Sequence, residues 1–470
     1  MIFRRFLEKL FDGKRILGKG EVLGEIPGAL TLLREAVKVA WPSTLESFLV
    51  ALVGVIDTIM VGTMGTAAIA AVGLCTQPKF IALALFISMN VAVSAIVARR
   101  KGQEDRESAN SVLRQALAVT LALVAVISTL AVAFAPQIIR LAGAETDTHA
   151  DAVAYYRIIM GGLFFNVCSL VINAAQRGAG NTKIAMRTNM VSNGVNICFN
   201  YLLIGGHFGF PRLGVTGAAV ATVLGTIAAM VMSLYSVSHP NGYLYLELRK
   251  LFRFDRETMR SLWNVSSSTL VEQVFLRIGF LAYAMIVARL GTQAFAAHQV
   301  GMNIITISFS LGDGLSVAAV ALVGQSLGQG RPDLAKIYGG VCQRIGIFFS
   351  VLVCIVFATQ GRLIFSLFSK EEAVLAEGVM IMRLAAVVVF LQISQVIFSG
   401  CLRGAGDVRY MAMVSLTSAT IARPSLGWLF CYGLGMGLTG AWIGLTLDQG
   451  LRLTLSALRF GSGKWMNIRI

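Results

Sequence analysis

A chain of 470 residues that is 56% hydrophobic and 14% charged is too apolar to be a soluble globular protein of this length. Its formal net charge of +16 needs no nucleic-acid partner, because basic loops lying against an anionic inner leaflet account for it. The seven cysteines sit in or at the ends of apolar stretches without a C-x-x-C pair, which reads as small apolar filler and excludes a disulfide scaffold or a thiolate metal site.

In chain order, residues 1–28 read as a cytoplasmic N-terminal segment. Residues 1–12 form a short amphipathic helix on the inner leaflet, and no apolar run before a small-residue cleavage site marks a signal peptide. Six stretches long enough to cross a bilayer follow, at 40–64, 68–98, 112–135, 153–175, 186–206 and 214–237. They make an N-lobe over 29–238. Residues 239–257 are too polar to cross; with Arg249, Lys250, Arg253 and Arg256 among Leu and Phe they read as an amphipathic cytoplasmic linker. A C-lobe over 258–470 carries the stretches 260–289, 295–326, 340–360, 378–401, 411–434 and 438–460, with Pro424 predicted to bend the eleventh.

The two lobes repeat one plan. Gln176-Arg-Gly-Ala-Gly-Asn181 returns as Leu402-Arg-Gly-Ala-Gly-Asp407, a step of 226 from Arg177 to Arg403. The same step joins Glu46 to Glu272, Gly65 to Gly291, Gly102 to Gly328, Arg157 to Arg383 and Asn166 to Gln392. The expected fold is therefore an all-α integral membrane protein of twelve transmembrane helices, arranged as two parallel six-helix lobes around a pseudo-two-fold along the membrane normal, with a cleft between them. Most of the 40 Lys and Arg fall in the termini and the even-to-odd connections, which places both termini in the cytoplasm.

Ionisable groups at bilayer depth mark pathways or relays by default. Glu46, Asp57, Glu272, Asp313 and Asp448 lie inside apolar stretches. Asp57, with no basic residue for many positions on either side, reads either as a neutral hydrogen-bonded carboxylate or as a site for a proton or small cation. Asn189, Asn193, Asn196 and Asn200 keep a single helix face in the fifth stretch, a stripe of amides suited to such a site. Asn90, Asn166, Asn173 and Thr222 add polar groups to the same half, and amides also hold transmembrane helices together. The second half carries Glu272, Gln273, Arg277, His298, Gln299, Asn303, Gln392, Gln395 and Arg423. Asp448 has Arg452 one turn on and reads as an ordinary i,i+4 pair, and His298 reads first as a packing residue.

Five motifs in order, Val55-Ile-Asp-Thr-Ile-Met-Val-Gly62, Gln176-Arg-Gly-Ala-Gly-Asn-Thr-Lys183, Ala297-His-Gln-Val300, Val323-Gly-Gln-Ser-Leu-Gly-Gln-Gly330 and Leu402-Arg-Gly-Ala-Gly-Asp407, resemble the multidrug and toxic compound extrusion (MATE) family over residues 30–465. The resemblance implies an antiporter exporting amphiphilic, often cationic drugs or metabolites in exchange for H+ or Na+, with no further cofactor, embedded in the cell membrane as a monomer. It implies an ion-coupling site at Asp57, Asn196, Asn200 and Thr222, with Asp57 as the possible Na+ ligand. It implies a central cleft between the lobes, for which the polar residues at bilayer depth Glu46, Glu272, Gln273, His298, Gln299, Asn303 and Gln392 are the substrate candidates, Glu272 matching an acid of the Na+-dependent members. The chain departs from some relatives in having Asn200 where they have a second Asp, and Gln392 where Na+-dependent members have an Asp. The alternative is a lipid-linked-precursor flippase of the same superfamily, which needs a more basic cavity. An intramembrane enzyme is excluded by the lack of paired acidic or nucleophilic motifs.

Overall fold

Helix lies at every apolar stretch predicted above, because a backbone in hydrocarbon has only its own chain to bond with. The structure is a computed structural model that describes residues 7–18, 21–144, 148–240, 242–366 and 372–468. Its helices are α1 (Gly13–Leu17), α2 (Ala29–Gly62), α3 (Thr66–Gly102), α4 (Arg106–Ala133), α5 (Ala135–Leu141), α6 (His149–Gly161), α7 (Leu163–Gly178), α8 (Thr182–Gly205) and α9 (Gly214–Ser236). There follow α10 (Arg256–Ala288), α11 (Thr292–Gly328), α12 (Pro332–Ser366), α13 (Glu372–Gly404), α14 (Val408–Ser415), α15 (Arg423–Trp428) and α16 (Gly437–Gly461).

Among the described residues, eight helices are long and apolar enough to cross a membrane, or nine if α6 and α7, bent by 45°, form one span. The remaining predicted crossings are more polar or are interrupted. The α8 helix carries its four asparagines and α16 carries Asp448, Arg452 and Arg459. The chain from 408 to 433 alternates α14, a π-helical stretch Leu416–Ala422, α15 and a second π-helical stretch Leu429–Gly433. Pro424 explains part of this: it has no N–H to donate and its ring crowds the carbonyl a turn earlier, so the backbone widens there in place of the expected simple bend.

The repeat is written into the turns. Gly65 and Gly291 precede α3 and α11 with φ of 109° and 108°, and both helices are 37 residues long. Gly180 and Gly406 take φ of 82° and 86°, a left-handed backbone that favours glycine. The preceding glycine of each motif has another task. A Cβ on Gly178 would stand 2.4 Å from the Ser94 carbonyl oxygen, and one on Gly404 would stand 2.6 Å from that of Val320. Arg-Gly-Ala-Gly is therefore one glycine for close helix approach and one for the turn.

By packing, the chain divides into two compact units, Phe48–Ser266 and Met1–Ser47 with Ser267–Ile470, here the first-half and second-half units. The boundary falls inside α2 and α10, whereas the repeat alone would divide the chain at the linker. The reason lies in the start of α2. Leu32, Ala36 and Ala40 belong to the core of the second-half unit, and Gly314 meets the Thr44 backbone so closely that a Cβ would come within 2.2 Å.

The expected N-terminal helix over 1–12 lies in part, residues 1–6, outside the described residues, as do 19–20 of the N-terminal segment. From Leu7 onward the segment packs on protein: Phe11 and Leu17 are buried in the second-half core. Arg331 donates to the Glu25 carbonyl at 3.1 Å and pairs with Asp333 at 2.8 Å, while Asp333 accepts from the Leu23 N–H at 3.2 Å. The linker is anchored in a similar way within the first-half unit. Arg106 donates to the carbonyls of Pro240, Gly242 and Tyr243, and Asn110 accepts from the Tyr245 N–H at 2.7 Å.

Asp105 caps α4, accepting from the Ser108 hydroxyl at 2.6 Å and the Ser108 N–H at 2.9 Å. These bonds, the hydroxyl's first, hold its carboxyl below the usual range. A depressed folded-state value gives stability that is complete above the unfolded value and is lost as pH falls through the folded one. Asp105→Ala is expected to cost about 1 kcal/mol, read as a lower thermal midpoint in detergent at pH 7. The gap to the wild type should close below about pH 4; a gap that is independent of pH would refute the cap's role.

Candidate functional site

The asparagine stripe of α8 does face a carboxylate. The Asn200 side-chain N–H donates to Asp57 Oδ1 at 2.7 Å, and the same Nδ2 lies 3.3 Å from Asn196 Oδ1. Asn196 donates to the Thr222 hydroxyl at 3.2 Å, and that hydroxyl donates back to the Ala218 carbonyl at 2.9 Å. Asn196 and Asn200 are buried at 6% and 1% exposure, and Asp57 is half-buried. Small residues let α8 and α9 approach: a Cβ on Gly225 would meet the Ser192 carbonyl oxygen at 2.7 Å. The result is a file of amides and a hydroxyl ending on one carboxylate, all within the first-half unit. An N–H to an ionised carboxylate is worth roughly 1.5–3 kcal/mol, well short of replacing its hydration. Asn200 Oδ1 is buried and has no hydrogen-bond partner among the described residues.

Lys79 of α3 is the member of this neighbourhood that local sequence reasoning missed. Its ammonium and the Asp57 carboxylate lie within Coulombic reach of each other. It lines a cavity of about 20 Å³ with Cys75, Thr76, Tyr155 and Tyr156, room for one water. A charge 22 residues from Asp57 leaves no mark in any helical period, so only the lack of other deep cations nearby could have pointed to it.

The second-half unit handles its carboxylates differently. Glu272, 1% exposed, pairs with Arg403 at 2.5 Å, so the arginine of the repeated motif is its counter-ion. Asp313 lies in the field of the same arginine and accepts from the Ser47 hydroxyl at 3.0 Å. Asp448 is fully buried; the predicted pair with Arg452 forms at 3.5 Å, and Arg423 makes a closer one at 2.6 Å. Arg452 also donates to Ser418 Oγ at 2.9 Å. His298, 3% exposed, sits edge-on to Tyr283 and Trp442 with ring centroids 5.6 and 5.8 Å away, a packing position.

The other cleft candidates are not drawn into one cluster. Glu46 is buried at 7% exposure and belongs by packing to the second-half unit, while Asp57, on the same helix, belongs to the first-half one. Gln273 and Gln392 are half-buried, with Gln392 Oε1 lacking a partner among the described residues, and Gln299 and Asn303 are exposed on α11. No group of three or more His, Cys, Asp or Glu able to hold a metal ion occurs among the described residues.

The MatE family model matches residues 42–202 and again 269–429. The chain belongs to the MATE family. The two matches are equal in length and repeat, within one residue, the offset of Arg177 and Arg403. The chain is 27% identical over 92% of its length to a protein of Thermotoga maritima named as a probable multidrug resistance protein NorM, covering 93% of that protein. It is 28% identical to the multidrug resistance protein MdtK of Yersinia enterocolitica, over 92% of this chain and 95% of that one. Crystal structures of a MATE in straight and bent conformations share its fold with TM-scores of 0.86 and 0.84 at 22% identity. Each covers 94% of this chain, and this chain covers 100% and 99% of them respectively. This MATE chain is a multi-pass membrane transporter of small molecules, and not an enzyme.

If Glu272 and Arg403 stabilise the second-half unit as a pair, breaking one partner is worse than removing both. Glu272→Gln should lower stability by roughly 3–5 kcal/mol, read as loss of folded, monodisperse protein on heating in detergent. Glu272→Gln with Arg403→Gln should regain most of it. Additive losses in the double variant would refute the pairing.

Proposed function

We propose that this MATE transporter is a cation-coupled multidrug efflux antiporter of the cell membrane, with twelve transmembrane helices in two six-helix lobes and both termini cytoplasmic. It exports amphiphilic, often cationic compounds by alternating access in exchange for H+ or Na+. The multidrug resistance names of relatives matched over nine-tenths of the chain support the substrate class. The observation that carries the coupling is the half-buried Asp57, bonded by the amide of Asn200, which in turn donates to Asn196, and by no arginine hydrogen bond among the described residues. A carboxylate taken out of water without a bonded cation is neutralised by one that arrives, and it releases that cation when the environment changes.

Both coupling ions fit the donor set. A proton goes onto Asp57 directly. For Na+, the Asn200 amide turns over and offers its orphan oxygen beside the carboxylate. Either ion neutralises Asp57, removes its attraction for a cationic substrate and favours release. Lys79 acts against the second cation in this scheme, because a fixed ammonium repels any further positive charge brought to Asp57. The flippase reading is disfavoured by the same geometry: Arg403 and Arg423 are occupied by Glu272 and Asp448 and leave little free positive charge for a pyrophosphate.

Asp57→Asn should leave the protein folded and abolish export of a fluorescent cationic dye from energised vesicles. A dye gradient still driven by H+ or Na+ in that variant would sink the assignment. Lys79→Met should strengthen Na+ binding by roughly tenfold, equivalent to about 1.4 kcal/mol, measured as ²²Na+ binding at fixed pH. Unchanged or weaker binding would remove Lys79 from the mechanism.

A further inference from the structure

Away from the buried carboxylates, the N-terminal segment has a fitted seat on α12. Lys336, Gly340 and Arg344 stand at i, i+4 and i+8 on one face of that helix. Lys336 donates to the Leu17 carbonyl at 3.4 Å, and Arg344 donates to that of Leu10. Between them Gly340 makes room for Ile16, whose Cγ2 would lie 2.3 Å from a Cβ there. Gly13 likewise admits Ile26, and its Cβ position lies 3.3 Å from Leu32 of α2 and 3.4 Å from Ile337 of α12. Phe11 and Leu17 are thereby buried, while Lys9, Lys14 and Arg15 stay exposed. The apolar side expected to lie on a leaflet faces protein.

The first-half unit has the same seat. Asn110 plus 226 is Lys336, and Leu17 plus 226 is Tyr243; the Asn110 side-chain N–H reaches the Tyr243 carbonyl at 3.5 Å, as Lys336 reaches that of Leu17. The helices that carry the two contacts begin at Arg106 and Pro332, again 226 apart, and Leu244 and Leu246 are buried as Leu17 is. Residues 7–28 are thus the repeat partner of the linker. Each precedes a helix, α2 or α10, whose start packs in the same unit as the seat. Joining the halves accounts for the linker alone, whereas holding the start of the next helix accounts for both segments. We propose that residues 7–28 are a permanent clasp, docked on α12 throughout the transport cycle and fixing the start of α2 there. One helix runs from that anchor to Asp57, so slack at the clasp becomes slack along α2. The inference needs transport, but not the identity of the coupling ion.

The test reads two quantities on the full chain: ethidium export from energised vesicles, and hydrogen exchange over residues 29–40 in detergent. Gly340→Ala drives a methyl into Ile16 and should speed that exchange and slow export, each by about tenfold, as overpacking by one methyl does. Adding Ile16→Ala removes Cγ2, leaves the two Cβ positions 3.7 Å apart and should return both readouts close to the wild type. Ile16→Cys with Gly340→Cys, in a Cys198→Ala, Cys354→Ala background, spans the same 3.7 Å, a disulfide's Cβ separation. Once oxidised, it should export ethidium at the rate of its Cys198→Ala, Cys354→Ala parent. Export that stops on oxidation and returns with reductant would make the segment a moving lid and overturn the clasp. Failure of the disulfide to form, unchanged exchange in Gly340→Ala, or no rescue by Ile16→Ala would overturn it as well. If the wild type exports no ethidium, the efflux reading fails by itself, and the exchange data alone decide for or against the clasp.

Discussion

An ion removed from water at membrane depth costs several kcal/mol unless something replaces its hydration, and the two halves of this chain meet that constraint in opposite ways. In the second-half unit the protein supplies the replacement itself. Arg403 serves Glu272 and reaches Asp313, and Arg423 and Arg452 enclose Asp448. Resident cations of this kind hold helices together and leave little for a transported ion to do. In the first-half unit Asp57 is given one amide N–H, from Asn200, and a more distant ammonium. Such partners lower the cost without removing it, which leaves the carboxylate able to exchange.

That difference stands out because the scaffolds are the same. Gly65 and Gly291, Gly180 and Gly406, and the close approaches at Gly178 and Gly404 repeat almost degree for degree. Backbone contacts and turns are set by steric rules that tolerate few residues, so both copies keep them. Side chains facing the helix interior are freer to diverge. The stripe of asparagines on α8 has its counterpart in a stretch widened into π-helix, where a Cβ on Gly279 would come within 2.0 Å of the Ala419 carbonyl oxygen and Thr420 donates to the Phe275 carbonyl at 2.7 Å. One copy of the plan became an array of polar groups and the other a tight crossing.

What the sequence discloses follows the range of each interaction. Helix positions come from apolar runs, the repeat from a constant offset, and the amide file from a period on one helix; each is local or periodic. The Asp448–Arg452 contact is legible because the two are one turn apart. Its stronger partner Arg423 is not, since nothing in a span of 25 residues fixes which helices meet. Arg403 is an intermediate case. The repeated motif singles it out, yet its pairing with Glu272 depends on how α10 and α13 pack. The same holds for Lys79 beside Asp57, and for the assignment of residues 29–47 to the second-half unit, which rests on contacts such as Gly314 against Thr44. The linker reads from composition as an amphipathic segment, and only the three carbonyls gathered by Arg106 reveal that its first part is pinned.

The proposed exchange at Asp57 follows from a simple electrostatic rule. Where a carboxylate already has an arginine, a visiting cation must displace that guanidinium and leave it with no counter-ion, so exchange is blocked. Where the bonded partner is an amide, as at Asp57, the visitor supplies the missing charge and displaces nothing of equal strength.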